Sequence, residues 1–432
     1  MGEETIFSFD EFSVEMEDFE VIRTKKHDRM WQVSPGGSMC CIPLIHDGLV
    51  YFGSLNFNVY ALDARRGKLA WKFKTEGIVM ESSPVFWRDR IFVGSFDYNM
   101  YALDAKTGRM LWKFKTEGEI DVMPWVDDGK VYFGSRDHIV YCLDAETGRL
   151  IWKFRTYDEI VAAPAVHDGR LFIGSFDKNM YCLDAGTGEL VWKFPTQGEI
   201  HNVNHLLIHK GVVYFTSFDN HLYALDEKKG SLIWKFRTGN YGNNSSPVLY
   251  KERLYLSTRD GVLYALALDG KLLWKFARNE QVLVPAIHDD RVYFGCEDHN
   301  LYCLDIDGNE LWRFGTQGPV LLAPVVWEGN AYFPSYDCNF YAVDIGTRKL
   351  TWKFRAEGSP SYMPPPWDMF ELVIKRGGLE GRAGGDTGKR YDLNMAEGEV
   401  AGRFYKSRVT YQLSTQYREK GKYQTDSDED EI

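Results

Sequence analysis

The chain has 432 residues, 44% of them hydrophobic and 26% charged, with a formal net charge of −11. That is too apolar for disorder and long enough for two or three ordinary domains or one large repeat assembly. No apolar run reaches the roughly 18 residues needed to span a bilayer, and the acidic, aromatic start, Met1 to Asp28, lacks the pattern of a secretory signal, so a cytoplasmic protein is expected. The outlier is aromatic content, 15% of the chain.

Residues 1–29 carry nine acidic and four basic side chains and form an acidic N-terminal extension. Its alternating stretch Ile6 to Phe19 is expected to cover a sheet edge or to dock on a partner. From residue 30 the sequence repeats itself. Trp31, Trp71, Trp112, Trp152, Trp192, Trp234, Trp274, Trp312 and Trp352 stand 38 to 42 residues apart. Each interval carries the same text, illustrated by Ser82 to Gly118. It parses into four strands: one after Pro84, then Ile91–Ser95, Met100–Asp104 and Met110–Lys115. Turn chemistry separates them at Arg88-Asp89, Asp97-Tyr98-Asn99 and Lys106-Thr107-Gly108. Eight such units between residues 30 and 358 predict an all-β, eight-bladed β-propeller of four-stranded antiparallel blades.

One Tyr on each third strand, and a Trp and a Phe two residues apart on each fourth, lie at spacings that let them pack against the next blade. Nine tryptophans for eight blades leave one over. Either Trp31 belongs to a strand that joins the last blade, or Trp352 completes that blade by its own hairpin. Cys142, Cys182 and Cys303 occupy a position that holds Ala elsewhere, which marks them as packing residues. Seven cysteines in a chain without an export pattern are expected to be free thiols.

The segment Ala102-Leu-Asp104-Ala-Lys-Thr107-Gly108-Arg-Met-Leu-Trp112 fits an A-x-D-x-x-T-G-x-x-x-W tryptophan-docking motif and resembles the repeat of the PQQ-like (quinoprotein-type) β-propellers. The resemblance runs from about Ile42 to Gly358 and is of the kind seen in the outer-membrane assembly lipoprotein, here without a signal peptide. The later copies drift, as at Asp344-Ile-Gly-Thr347. Independently of the family, the Thr-Gly pair suits a turn needing φ > 0, and Asp104 suits acceptance of turn N–H groups.

The resemblance places ligands at the face holding the inter-blade loops and the turns between second and third strands. The loop residues there that bear chemistry are Glu81, Asp121, His201, Asn202, Asn204, His205, Asn243 and Asn244. Repeat 5 loses the Pro of the other loops and gains length, so His201-Asn-Val-Asn-His205 is the leading polar cluster; strand-and-loop context argues against a metal. On the adjoining turns stand Phe57, Phe96, Tyr98, Arg136, His138, Phe176, Phe218 and Tyr336, residue types frequent in protein interfaces. These rings either present a partner-binding rim or fold back on neighbouring blades.

The expected function is a non-catalytic scaffold that binds protein partners through this rim and the terminal extensions, with no catalytic residue, metal or cofactor assigned. Two alternatives follow from the resemblance. One is a quinoprotein dehydrogenase, with pyrroloquinoline quinone and calcium held by Glu81 and Asn202 or Asn204, Asp121 as base, and Cys40-Cys41 echoing a vicinal pair. The other is a sensor of a small molecule or peptide in the central funnel. Residues 359–432 are expected to form a Gly-rich basic arm with an acidic end, including a strand across Phe404 to Tyr417. Nucleic-acid binding is confined to its Lys375–Lys422 part, with 11 basic and 6 acidic residues, because the rest lacks a basic footprint.

Overall fold

A computed structural model of the chain describes residues 19–25, 37–243, 245–278, 280–360 and 370–376. The chain divides into two compact units, Met1–Val33 with Met363–Ile432, and Ser34–Tyr362. In the first, Phe19–Lys25 pairs antiparallel with Phe370–Arg376, in a register running from Phe19 opposite Arg376 to Lys25 opposite Phe370. Trp31, Asn244, the rest of the Ile6–Phe19 stretch and the Phe404–Tyr417 segment lie outside the described residues.

The second unit is an eight-bladed β-propeller. Its eight sheets span residues 44–74, 85–115, 125–155, 165–195, 207–237, 248–277, 286–315 and 325–355, each with four strands in chain order. We call these strands A to D. In blade 2 they are Val85–Trp87, Arg90–Gly94, Asn99–Asp104 and Met110–Lys115, within a residue of the sequence expectation. A bulge between Ala102 and Leu103 pairs Trp112 with Ala102 and Met110 with Leu103, passing over Leu111; it recurs in every blade. The A strands of neighbouring blades touch around the axis, while the D strands carry exposed residues such as Ile151 and Ile233. An antiparallel meander puts A–B and C–D turns on one face, here the lower. The B–C turns and D–A loops share the upper face.

The core lies between blades, and the tryptophans make it. The Trp112 indole N–H donates to the Ala145 carbonyl of the next blade at 3.1 Å, and Trp71, Trp152, Trp192, Trp234 and Trp274 reach Ala105, Ala185, Glu227, Leu268 and Ile306 likewise. Gly108, at φ 70°, lies under the Trp71 ring, where a Cβ would meet indole carbon at 2.5 Å. Thus the turn needs Gly both for its backbone and for the ring above it. Asp104 Oδ1 accepts from the amides of Lys106 and Thr107 and from the Thr107 hydroxyl, so this acidic row is structural. Each D-strand Phe then packs against the next blade's C-strand Tyr, edge-on in all but the Phe276–Tyr302 pair, as Phe73 does on Tyr101 at 5.5 Å.

Ring closure follows the second sequence alternative. Leu350–Arg355 completes blade 8 by its own hairpin. Blade 8 meets blade 1 through Phe340 stacked on Phe52 at 4.4 Å and Trp352 donating to the Ala64 carbonyl at 2.9 Å. The seven cysteines are free and buried, and Cys142, Cys182 and Cys303 sit inside inter-blade clusters. Among the described residues, no helix is long and apolar enough to cross a membrane.

Candidate functional site

The upper face is built on one repeated hairpin. In blade 2, Asp97 Oδ2 accepts from the Tyr101 hydroxyl and the Glu76 amide, both at 2.8 Å, tying the B–C turn to the strand leaving blade 1. Asp137, Asp177, Asp219 and Asp337 repeat this. The residue before the aspartate is pinned inward, because its amide donates to an inter-blade loop carbonyl: Phe96 to Ile78, Arg136 to Glu119, Phe176 to Glu159, Phe218 to Glu199 and Tyr336 to Pro319. The residue after the aspartate, or after Asn56 in blade 1, is left-handed: Phe57 at φ 66°, Tyr98 at 70°, His138 at 71°, Lys178 at 70°, Asn220 at 67°, His299 at 71° and Cys338 at 69°. Two concentric rows result, an inner row at the channel mouth and an outer row of tips.

Seven of the sixteen expected site residues meet at that mouth. Glu81, from the loop entering blade 2, reaches across to His201, from the loop entering blade 5, with Oε2 3.0 Å from Nε2. Arg136 bridges two carboxylates, donating through Nη2 to Asp121 at 2.6 Å and through Nη1 to Glu159 at 3.0 Å. The Phe96 ring lies 5.9 Å from the Arg136 guanidinium carbon. Phe176 and Phe218 both pack edge-on against His201, at 6.1 and 5.9 Å, and Arg259 covers the Phe218 ring. Burial raises the Asp121 pKa; Arg136 and His201 oppose it, and Glu81 adds to it.

The remaining polar residues hold loops in place. Asn202 Oδ1 accepts from the hydroxyls of Thr216 and Ser246. Asn204 grips the Ser246 backbone with both amide atoms, and Asn243 Nδ2 donates to Thr238 Oγ1 at 2.7 Å. His205 is held by other partners than His201, its Nδ1 donating to the Pro164 carbonyl at 2.7 Å and its ring meeting Trp125 edge-on. Burial lowers the His205 pKa to about 4, against a smaller opposing effect of that carbonyl, so the ring is neutral at pH 7. Of the rim residues, Tyr98 is exposed, Phe57 and His138 are half-buried on the outer row, and Phe176 is buried at the mouth.

Sequence reasoning passed over Glu159 and Arg259. The signals were present: Glu119, Glu159 and Glu199 recur before an Ile in three successive loops, and Arg-Asp at 259–260 repeats Arg136-Asp137.

Three buried polar atoms at the mouth have no hydrogen-bond partner within the protein: Asp121 Oδ1, His201 Nδ1 and Asn202 Nδ2. Two other groups hold ligating atoms close enough for one metal ion, His167–Asp168–Glu227 and Glu280–Cys296–Asp298. In the first, His167 Nδ1 and Glu227 Oε1 are joined by a 2.6 Å hydrogen bond. In the second, burial pushes the Cys296 thiol pKa up, away from the thiolate a metal binds.

The arrangement does not fit a quinone with calcium. Glu81 is turned onto His201, Asp121 is held by Arg136, and the Asn202 and Asn204 carbonyl oxygens are taken by neighbouring loops. Cys41 is a backbone fastener: its sulfur accepts the Gly53 amide at 3.0 Å, as Ser82 Oγ accepts that of Gly94.

Fold and mouth together define a tryptophan-docked, eight-bladed propeller with a polar, aromatic-lined channel entrance. The model of the family described as outer membrane protein assembly factor BamB matches residues 19–134, 110–205, 136–278 and 259–365, and the chain belongs to this family of PQQ-like propellers. Against the curated proteins the sequence finds no match. Among solved structures, BamB from Moraxella catarrhalis is similar, with a TM-score of 0.60 at 17% identity over 73% of this chain and 94% of that one. The computationally designed Ika8 protein is similar at TM-score 0.62 and 17% identity, over 70% of this chain and 95% of its own. At such identities the likeness is one of fold.

Proposed function

We propose that this protein is a non-catalytic scaffold whose upper face binds a protein partner. The observation that carries this is the outer row. A left-handed backbone costs a residue with a side chain roughly 1–2 kcal/mol, and a bulky one there is an outlier. Yet seven of the eight tips carry a side chain, and only blade 6 uses Gly261. On the lower face the C–D turns keep glycine at the equivalent strained position in every blade but the last, where Arg348 stands. The lower A–B turns also hold side chains at positive φ, but every one of those, from Asp47 and Arg88 to Glu328, is charged, whereas the upper tips include the rings Phe57, Tyr98 and His138, a residue type suited to a partner surface. The family's name, an assembly factor, accords with a binding role.

The test is site-specific photo-crosslinking in the source cells. A benzoylphenylalanine at positions 57, 98 or 138 is expected to trap one and the same protein, while positions 106 and 146 of the lower face do not. Equal labelling from both faces, or no discrete adduct from the upper one, refutes the reading. Deleting residues 359–432 in the same experiment shows whether the C-terminal arm contributes.

A further inference from the structure

On the lower face the repeat is broken by one carboxylate. The first residue of the C–D turn is apolar in seven blades, as Ala64, Ala105, Ala145, Ala185, Leu268, Ile306 and Ile345, and in blade 5 it is Glu227. Its backbone behaves as the repeat requires: the carbonyl accepts the Trp192 indole N–H at 3.0 Å, and the amide donates to the Gly211 carbonyl. Its side chain, 5% exposed, turns to blade 4, where Oε1 meets His167 Nδ1 at 2.6 Å. Among the described residues Oε2 has no hydrogen-bond partner. A carboxylate so enclosed is ordinarily bonded at both oxygens or bound to a cation. The fold thus keeps a buried acid where it needs only a methyl group.

Two more donor groups converge there. His167 closes strand A of blade 4 with its side chain 46% exposed. Asp168 follows in the A–B turn, exposed, with no hydrogen bond to its carboxylate among the described residues. One ligating atom from each of His167, Asp168 and Glu227 lies within 4.8 Å of the other two. The ring supplies its own controls. His46-Asp47 of blade 1 and His288-Asp289 of blade 7 are the same pair at the same turn, but the blade that follows has Ala105 or Ile345 in place of Glu227. Neither pair belongs to such a cluster among the described residues.

One imidazole nitrogen and two carboxylate oxygens suit a zinc ion that keeps a position for water, with metal–ligand bonds of about 2.0–2.2 Å. Ligands around a tetrahedral ion then stand about 3.3 Å apart, so Nδ1 and Oε1, now bridged by a proton, must part by roughly 0.7 Å. The half-exposed His167 ring is free to tilt that far, while the Glu227 backbone is fixed. Arg170 donates to the Glu227 carbonyl at 3.2 Å and leaves both carboxylates uncovered. Magnesium and calcium match poorly, because they take oxygen ligands. The other cluster, Glu280–Cys296–Asp298, is less suited, since Asp298 Oδ2 already accepts the Tyr302 hydroxyl.

We infer that His167, Asp168 and Glu227 form a zinc site that ties the A–B turn of blade 4 to the C–D turn of blade 5, with water completing the coordination. The same two turns are joined by exposed ion pairs elsewhere in the ring, Arg88 with Glu146 and Arg65 with Glu328, and the metal is the corresponding link here. The site reinforces the joint that Trp192 makes and is independent of the upper-face reading.

The probe is zinc chloride, added to the chelator-treated full chain with carbon-13-labelled histidine rings. The His167 signal is assigned by its loss in His167→Gln. One equivalent of zinc is expected to shift that signal saturably and to leave those of His46 and His288 unmoved. Glu227→Ala gives blade 5 the residue type of blades 1 to 4, so it is expected to fold and to weaken zinc binding, read by calorimetry, by about tenfold or more. Zinc is expected to raise the melting temperature of the parent and not of Glu227→Ala, and millimolar magnesium to displace none of it. If circular dichroism shows Glu227→Ala unfolded, Glu227→Gln carries the same comparison. An equal shift at His46 or His288, an unchanged affinity or an equal thermal gain in the Glu227 variant, displacement by magnesium, or no saturable response at His167 overturns the inference and leaves an adventitious ion only.

Discussion

The sharpest test of the inter-blade account compares two tryptophans. Trp112 and Trp312 are equally enclosed, 9% and 7% exposed, on the same strand of blades 2 and 7. Trp112 donates to the Ala145 carbonyl; the Trp312 Nε1 is buried without a partner. The difference traces to the receiving turn, where blade 3 has Gly148 under the ring and blade 8 has Arg348 at φ 64°. Trp→Phe at either site removes the same atoms, with a cavity cost of about 1–2 kcal/mol. At Trp112 it also breaks a hydrogen bond and strands a buried carbonyl, a further loss of about 1–3 kcal/mol. At Trp312 it instead deletes an unsatisfied donor, which returns roughly the same amount. Trp112→Phe is therefore expected to cost about 2–6 kcal/mol more than Trp312→Phe, which comes out near neutral. Urea unfolding followed by far-ultraviolet circular dichroism measures both, provided the m-values agree. Equal losses to within about 0.5 kcal/mol would refute the claim that the indole N–H bonds, beyond the bulk of the rings, join the blades.

Other outcomes follow from the same geometry. Tyr98→Gly and His138→Gly relieve left-handed strain and are expected to stabilise the fold by about 1 kcal/mol each while reducing partner trapping, and destabilisation by both would show that the tips are structural. Arg136→Ala leaves Asp121 and Glu159 without their shared cation and is expected to cost about 3–5 kcal/mol, most of it recovered when Arg136→Met is combined with Asp121→Asn and Glu159→Gln; no recovery would contradict the charge argument. His205 is held neutral with its folded pKa near 4. Below its ordinary value of about 6.5 the unfolded chain takes up the proton first, so stability falls by up to ~1.4 kcal/mol per pH unit between pH 6.5 and 4. His205→Gln should flatten that slope in urea titrations, and an unchanged slope would place its origin elsewhere. Burial holds the thiols of Cys41, Cys142 and Cys182 near pKa 12, so no thiol of the folded protein should react with Ellman's reagent at pH 8 within minutes, and all seven should after unfolding. One fast thiol would disprove this.

Fold was legible because it is written eight times. A Trp every 40 residues or so, with its Phe two positions on and a Thr-Gly turn before it, states both the strand and the surface it faces. The mouth was only partly legible, because it is made by departures from the repeat. That Glu81 and His201 stand near the axis follows from their place in the loops; that they touch does not, since three blades separate them in the ring. Phe96, Phe176 and Phe218 resemble Tyr98 in sequence, all being aromatics beside a turn aspartate. The backbone bonds of Phe96, Phe176 and Phe218 to the inter-blade loops turn these rings over the channel, whereas Tyr98, two residues later, faces outward. Neighbours in the text thus belong to different surfaces, a distinction carried by hydrogen bonding that composition cannot express.

The placement of charge sharpens the functional argument. A ring held by eight inter-blade joints has stability to spare, and a scaffold with no further task would fill its channel mouth with apolar side chains, as the loop entering blade 4 does with Val161, Ala162 and Ala163, all buried. Blades 2, 3 and 5 instead place Glu81, Asp121, His201 and Asn202 at the corresponding loops, and the fold tolerates three unpartnered buried atoms among them. Arg136 is fixed there between Asp121 and Glu159 and backed by the Phe96 ring. The loops of the upper face thus spend polar side chains where the repeat itself needs none, which accords with the upper-face binding role proposed above.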